Sequence, residues 1–488
     1  MADKLTDMNW LDRGKPWPPK SETARLKLYD ENRKLFKGDH AEVFTENWNR
    51  LKRDDQRSLE LVLNWFKRLS TLWADLLFGE PPTITAGERE SAEQAACKRI
   101  IKDNDLMNVG YKVALDTSAM GTGLFKIRYD GDKRRAYIEA QPPELWFPVF
   151  NPDNINEVLA HVLAWTTVVE SRRGTLTAEV HYTDRIMTYR YEVINDRIGR
   201  LLESATGPNP AVVKHGLGEF LVIPAPNLQT SNDPFGIDDY SDIDSIICEL
   251  EVRIAQISRI LDKNAEPSLA GPESMLEFDP DTHEYKLQGG SKYFPIPLGA
   301  NAAGAVPQYV TWGGELSAAF EQFNVLLDQL YTLSETSAAA FGNIKAGMAE
   351  SGSALRRLMM APLAKVNRMR MRFDPALCKA IGLCAALEVA QGMPGAVMLD
   401  NVHITWQDGL PDDEMEQANI MSTRKGAGLI STERAIQHLD GLEGEELEAE
   451  LDRIAADQMQ IAPPGPSMTN LGGIFEGLGL PQETNKPA

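Results

Sequence analysis

Ile243-Asp244-Ser245-Ile246-Ile247-Cys248-Glu249-Leu250-Glu251-Val252-Arg253-Ile254-Ala255-Gln256-Ile257-Ser258-Arg259-Ile260-Leu261 is the stretch that decides the fold. Ile243, Ile246, Ile247, Leu250, Ile254, Ile257 and Leu261 recur at three and four, the spacing of one helix face. The spacing predicts a helix over 237–263, opened by Phe235-Gly236. A second helix is predicted over 314–333, with Leu316, Phe320, Phe323, Leu327 and Leu330 on one side. Between them lies a Pro/Gly-rich excursion, 264–313, with short strand-like runs at Glu284–Leu287 and Gln308–Trp312. Two striped helices around such an excursion can pack as an antiparallel pair with the excursion at its tip.

C-terminal to this unit, residues 334–352 are small and glycine-containing. Such residues permit movement, and a nineteen-residue loop without function is uncommon. A long helix follows from Ser353 to Ala390, with kinks expected at Pro362 and Pro375. Val402–Trp406 reads as a strand. Residues 411–458 are helical and carry 13 acids against 4 bases. The last 28 residues contain ten Pro or Gly and are expected to be disordered.

Toward the N-terminus, residues 1–40 are charged and proline-punctuated, with one short helix over Glu22–Phe36. Helices are predicted over Trp48–Phe78, stopped by Gly79 and Pro81-Pro82, then over Glu88–Asn104 and Leu106–Met120. From Gly121 the period changes to two. Leu124–Tyr129 and Ala136–Ala140 form a hairpin around Asp130-Gly131-Asp132. Strands at Val158–Val168, Ala178–Thr183, Ile186–Val193 and Phe220–Pro224 make 121–226 β-rich.

Composition narrows the function. The 488 residues are 43% apolar and 25% charged, globular values that suggest about three lobes. The net charge of −21 excludes non-specific coating of nucleic acid, so contact with DNA needs a local basic feature. Cys97, Cys248, Cys378 and Cys384 are scattered, which points to a reducing compartment. Met1–Lys20 is polar and predicts no secretory leader, and no window reads as a membrane span.

No catalytic constellation emerges. There is no GxxxxGK[ST] loop and no HExxH, and the seven histidines are isolated. Gly121-Thr122-Gly123 lacks the third glycine of a dinucleotide turn. Asp279-Pro280-Asp281-Thr282-His283-Glu284 has metal-ligand chemistry, but a surface turn explains it better. No cofactor, metal site or catalytic residue is expected. The basic feature lies on the long helix. Ser353–Phe373 holds Arg356, Arg357, Lys365, Arg368, Arg370 and Arg372 and no acid. Arg357, Lys365, Arg368 and Arg372 fall within roughly 80° of arc, apart from an apolar arc of Leu355, Leu358, Met359, Val366, Met369 and Phe373. Such a stripe faces DNA, a neighbouring subunit's acids, or solvent.

These pieces, in order, resemble the portal proteins of tailed bacteriophages, of the siphophage type, over roughly residues 40–455. Asn64-Trp65-Phe66 through Phe78-Gly79-Glu80-Pro81-Pro82 is similar to the first wing helix and its end. Met120-Gly121-Thr122-Gly123 resembles the passage into the β-rich wing. Ile223-Pro224-Ala225-Pro226-Asn227 and Phe235-Gly236-Ile237-Asp238-Asp239 resemble the approach to the first stem helix. Glu350-Ser351-Gly352-Ser353-Ala354-Leu355 resembles the turn into the long helix. Thr405-Trp406-Gln407-Asp408-Gly409-Leu410-Pro411 and Gly428-Leu429-Ile430-Ser431 resemble the passage to the crown.

The resemblance implies an α+β, mainly helical portal-type fold in a ring-shaped homo-oligomer, most often of twelve subunits, at one capsid vertex. Its regions would be an N-terminal arm (1–40), a wing (41–236), stem helices (237–263 and 314–333), a clip (264–313), a tunnel loop (334–352), a long kinked helix returning to the wing (353–410), crown helices (411–458) and a tail (459–488). Double-stranded DNA would be packaged and ejected through the bore. Partners would be terminase, head-completion or adaptor proteins, major capsid and scaffolding proteins, with no membrane. Location would be the virion portal vertex, after assembly in the bacterial host cytoplasm. Phe341, Asn343 and Lys345 would face the channel. Arg357, Lys365, Arg368 and Arg372 would serve the subunit seam or DNA. Tyr285, Lys286, Lys292 and Tyr293 would dock partners at the clip. The portal hydrolyses nothing, in agreement with the missing phosphate loop. Twelve copies would carry roughly −250 formal charges, and sparse bases in a negative wall suit sliding DNA. The competing readings are another capsid or head-to-tail adaptor protein, and an enzyme with an unrecognised carboxylate site.

Overall fold

The computed structural model describes residues 4–45, 61–88, 90–170, 173–202, 209–231, 233–265, 268–272, 277–280, 284–286, 293–296, 307–310, 316–343, 352–407, 414–442 and 444–461. Its helices are α1 (Thr23–Lys37), α2 (His40–Val43), α3 (Trp65–Phe78), α4 (Ala92–Asp103), α5 (Leu106–Met120), α6 (Asp244–Ala265), α7 (Ser317–Leu333), α8 (Gly352–Leu358), α9 (Met360–Ala390), α10 (Glu414–Gly426), α11 (Thr432–Asp440) and α12 (Glu445–Ile461). Strands are β1 (Thr83–Ala86), β2 (Thr122–Asp130), β3 (Arg135–Gln141), β4 (Trp146–Phe150), β5 (Val158–Glu170), β6 (Arg173–His181), β7 (Arg185–Ile194), β8 (Arg197–Leu201), β9 (Ala211–Lys214), β10 (Val222–Pro226), β11 (Ser268–Pro272), β12 (Glu277–Asp279), β13 (Glu284–Lys286), β14 (Tyr293–Ile296), β15 (Gln308–Val310) and β16 (Val402–Thr405). Contacts divide the chain into two compact units, 1–344 with 357–410, and 345–356 with 411–488.

In the first unit, α3 starts at Trp65 because the Asn64 side chain accepts from the Lys67 amide at 3.0 Å, a cap that ends the preceding extended residues. The predicted start at Trp48 is therefore too early over 61–64, and 46–60 lie outside the described residues. Phe66, Leu69, Trp73 and Leu77 bury one face of α3. At Gly110 of α5 a Cβ would come within 2.6 Å of the Phe78 ring, so glycine sets the approach of these two helices.

The predicted hairpin is β2–β3, and β10 adds antiparallel to β2, pairing Ile223 with Phe125. A larger antiparallel sheet runs β4-β5-β6-β7-β8, with β9 on β7. Its strands β5 and β7 were legible, but of β6 only 178–181 was, since the strand starts at Arg173 and not at the expected Ala178. Strand β4 was not, because all five of its residues are buried and a proline sits among them. Residues 4–22 fold onto this sheet. Trp10 stacks on Trp17 with ring centroids 5.9 Å apart, and both rings meet Phe147.

Helix α6 begins at Asp244, later than the expected 237. The Asp238 carboxylate accepts from the Tyr240 and Ser241 amides at 2.9 and 2.8 Å, holding a turn where the helix was expected. Helices α6 and α7 pack together. Between them, β11 pairs parallel with β14 and antiparallel with β15, and β12–β13 form a hairpin in which Asp279 opposes Glu284. The long helix breaks at Met359, between α8 and α9, rather than kinking at Pro362. Pro362 stands in the first turn of α9, where no intrahelical N–H is lost. Pro375 does lie inside the helix. Strand β16 pairs antiparallel with β1.

The second unit holds α10, α11 and α12. Ser431 caps α11 by accepting from the Arg434 amide at 3.2 Å, and Gly441 ends it with φ +66°. Met421, Ala435, Ile436 and Leu447 are its buried apolar residues among those described. Of the expected tail, 459–488, residues 459–461 are helical as the last turn of α12, and 462–488 lie outside the described residues.

Candidate functional site

The approach to α6 and the first turns of α9 meet around a cleft of about 180 Å³ in the first unit. Lys365, Arg368 and Arg372 of α9 line it, together with Asp238, Asp239 and Asp242, with Leu333 at the end of α7 and with Glu335 just after it. Three of the four predicted stripe residues therefore share one site. Arg357 is exposed on α8 and is not among its walls.

Lys365 points inward. Its ammonium pairs with Asp239 and lies 4.9 Å from the Trp73 ring centre. Asp239 also accepts from Asn227 Nδ2 at 2.7 Å and Ser118 Oγ at 2.6 Å. Ser118 and Ser70 share a hydrogen bond of 2.9 Å, and Ser70 bonds Tyr240 Oη at 2.7 Å. Ser70, Ser118 and Tyr240 are fully buried, and burial pushes the Tyr240 hydroxyl well above the ordinary phenol range. This network ties α3, α5, α9 and the α6 approach together. Its cation is satisfied by an acid of its own chain.

Arg368 pairs with Glu335, and both side chains are roughly half exposed, at 48% and 42%. Glu335 takes φ +55° after α7, and that turn carries its carboxylate to α9. Arg372 is exposed and has no ion-pair partner among the described residues. Leu228, Ile237, Leu333 and Met371 are exposed apolar residues around the same cleft. Arg370, which the spacing had placed off the stripe, is engaged elsewhere. It donates to the Leu76 and Gln407 carbonyls and lies over Trp406, which fastens α9 to the end of α3. Of the apolar arc, Met359, Val366, Met369 and Phe373 are buried, whereas Leu355 and Leu358 on α8 are half-buried.

After α7, Ser337 caps a short 3-10 turn, Ala338–Phe341, by accepting from the Ala340 amide at 3.3 Å. Phe341 is docked edge-on to Trp65 at 4.9 Å and tilted against Tyr331 at 6.1 Å. The Arg68 guanidinium lies 5.9 Å from its centre. The first part of the predicted loop is thus anchored by an aromatic cluster that small-residue composition did not reveal. Asn343 is exposed, and Lys345 lies outside the described residues. Of the predicted docking residues, Tyr285 and Lys286 fall on β13 and Tyr293 on β14, while Lys292 lies outside the described residues.

Sequence reasoning missed Asp239 and Glu335, the acids that meet the stripe, because they lie over a hundred and about thirty residues away from it. It also missed the buried pair His40 and Glu251. His40 Nδ1 lies 2.5 Å from Glu251 Oε1 and Nε2 lies 3.1 Å from the Leu35 carbonyl. The Leu63 amide donates to the same Glu251 oxygen at 2.8 Å. An acid inside the striped helix was the available signal. It ties α6 to the α1–α2 corner.

Comparison with known proteins assigns the fold. The profile of the family described as phage portal protein, SPP1 Gp6-like, matches residues 19–267 and 316–464. Matching most of the chain, it shows that the chain belongs to this phage portal protein family. Its role is that of a portal, or connector, and the family is structural rather than enzymatic. The profile leaves 268–315 unmatched, which is the excursion between α6 and α7. Among solved structures, a chain of the virion of the native gene transfer agent (GTA) particle is similar at 11% identity, covering 88% of this chain and 96% of that one, with TM-score 0.43. A chain from the neck of the empty GTA particle, computed with C6 symmetry, is similar at 13%, covering 78% and 90%, TM-score 0.44. One from the neck of the native particle, with C12 symmetry, is similar at 14%, covering 77% and 89%, TM-score 0.40. No curated protein matches the sequence.

Proposed function

We infer that the chain assembles into a homo-oligomeric ring, of twelve subunits in the simplest case, at one capsid vertex. Double-stranded DNA enters and leaves through its bore. Family membership on both sides of the excursion carries this reading, since the profile stops and resumes at the ends of α6 and α7. In this reading α6 and α7 are the stem, 264–313 the clip, 121–226 part of the wing and 411–458 the crown. The clip would dock terminase and then a head-completion protein. Capsid and scaffolding proteins would surround the wing. The protein would act in the virion after assembly in the host cytoplasm, without catalytic residues of its own.

Within the cleft, Arg372 and the exposed apolar residues Leu228, Ile237, Leu333 and Met371 suit a subunit seam better than a DNA wall. Apolar side chains around a guanidinium that has no ion-pair partner among the described residues fit a protein neighbour, whereas sliding DNA calls for polar walls. Lys365 belongs to the subunit's own frame, and Arg368 to a half-exposed internal pair. Mass measurement and negative-stain imaging of the purified protein test the reading. A ring of several hundred kilodaltons with a central hole is expected, and a monodisperse monomer at micromolar concentration would overturn it.

A further inference from the structure

Two helix faces of the first unit are open and differ in charge. On α7, Phe323, Leu326, Leu327 and Leu330 are half-buried or buried on one side, and α6 and α7 pack together. The opposite side, Ser317, Glu321, Val325, Asp328 and Thr332, is exposed and spans about 80° of arc at 100° per residue. Glu321 and Asp328 are the only charged residues of α7, so this face carries acids and no base. Val325 stands between them, 55% exposed.

Helix α9 shows the converse. Met360, Ala364, Arg368, Met371, Arg372 and Pro375 are exposed within about 120° of arc. Met360 and Met371 are each 72% exposed. The one acid of this stretch, Asp374, is half-buried and accepts the Trp406 indole N–H at 3.2 Å, so the outward face carries bases and no exposed acid. Each face runs for about 22 Å at 1.5 Å per residue. Arg368 is met by Glu335 of its own chain. Arg372, Glu321 and Asp328 have no ion-pair partner among the described residues. Large apolar side chains exposed beside such charges mark an interaction face rather than a solvated one.

The charges are complementary, the lengths match, and both faces stay open in one chain. We propose that α7 of one subunit lies along α9 of the next, with Asp328 toward Arg372 and Val325 toward Met371. The inference rests on the ring reading above and names the neighbour's share of the seam. Because the two faces differ, the contact is head-to-tail, the kind that closes into a ring instead of stopping at a dimer.

The test reverses one charge and then both in the full chain, and reads ring mass by light scattering over a dilution series. Asp328→Arg and Arg372→Glu should each raise the concentration at which the ring dissociates at least about tenfold, since each sets like charges face to face. The double variant restores the pair in swapped order and should return to within about threefold of wild type, which two independent losses would not do. A crosslink reads the apolar contact apart from stability. Val325→Cys combined with Met371→Cys should give, on oxidation, a ladder of linked multimers on a non-reducing gel, and either single variant nothing beyond a dimer. Ring mass indifferent to both reversals, a double variant no tighter than the singles, or a double-cysteine protein without linked multimers would each overturn the proposal. So would a ring in which Arg372→Glu abolishes binding of a short DNA duplex and leaves the mass unchanged, which gives the stripe to DNA. All four results leave the ring reading standing. A monomeric wild type removes that reading and this seam with it.

Discussion

Gly121 and Gly236 meet backbone to backbone. A Cβ added to Gly236 would lie 1.9 Å from the Gly121 carbonyl oxygen, and one added to Gly121 would lie 2.1 Å from that of Gly236. The contact is fixed by the Gly236 amide on Thr122 Oγ1 at 3.0 Å and the Asn227 amide on the Gly121 carbonyl at 2.8 Å. It joins the end of α5 to the approach to α6.

Gly236→Ala is therefore expected to destabilise the first unit by about 3 kcal/mol or more, because the obstacle is backbone and cannot rotate away. At Gly121 the φ of +79° adds backbone strain to the clash. Gly216, also at positive φ but with open space around its Cβ, is the control and should lose only about 1 kcal/mol as alanine. Thermal unfolding of the three variants checks the order.

Lys365 and Arg368 are one turn apart on α9 but should respond differently. Lys365→Met strips the cation from a buried carboxylate, and a loss of about 3 kcal/mol is expected, with Ser118 and Asn227 still bonding Asp239. Arg368→Gln breaks a half-exposed pair and should cost less than about 1 kcal/mol in the same denaturation experiment. Arg372→Glu should leave the subunit's own stability unchanged and reduce ring mass. Salt should mimic it, since exposed pairs are screened over about 8–10 Å. Unchanged ring mass and salt tolerance would return Arg372 to a solvated helix face.

The frame was legible where periodicity is strict. The β2–β3 hairpin came from spacing alone, and so did the buried parts of two helical patterns: Ile243, Ile247, Leu250 and Ile257 of the α6 stripe, whose Ile246 and Ile254 are half-buried and Leu261 exposed, and Val366, Met369 and Phe373 on α9. The boundaries were not legible where a side chain overrides the pattern. Asp238 delays α6, Asn64 starts α3, and Met359 rather than Pro362 divides the long helix. Partners of the stripe were invisible for a different reason. A run of bases without acids reads as unsatisfied along the chain, yet Asp239 and Glu335 reach it only through the fold.

Acid should unfasten the larger sheet. His161 is buried and accepts the Trp146 indole N–H on Nδ1 at 3.0 Å, so an imidazolium would oppose donor to donor. Burial, with His181 and Lys379 nearby, holds its pKa at about 3, below the ordinary 6.5. His181 and His215 are shifted down too, chiefly by burial. Groups depressed in the folded state contribute stability that is complete above pH 6.5 and is lost as pH falls toward 3. Glu179, held at about 2 by His181 and Lys126 against its burial, extends the loss below pH 4.5. Melting temperature should be flat from pH 7 to 8 on this account and fall steadily below about 6.5. His161→Gln keeps an acceptor for Trp146 and should flatten the upper part of that fall.

The docked ring of Phe341 separates two ways in which the segment after α7 can matter. Phe341→Ala removes the contacts with Trp65, Tyr331 and Arg68, and the turn over Ala338–Phe341 should loosen. Truncating a half-buried aromatic of this kind costs on the order of 1–3 kcal/mol locally. Limited proteolysis should then cut within 334–343 at least about tenfold faster, since cleavage follows the population of the opened segment. Ring mass should not change, because the cluster is internal to one subunit. Lys345→Ala should do the reverse, leaving proteolysis and ring mass alone and altering DNA packaging or retention if this base faces the bore. A Phe341→Ala protein that resists protease like the wild type would show that the aromatic cluster does not hold the segment. Packaging unaffected by Lys345→Ala would remove that lysine from the channel.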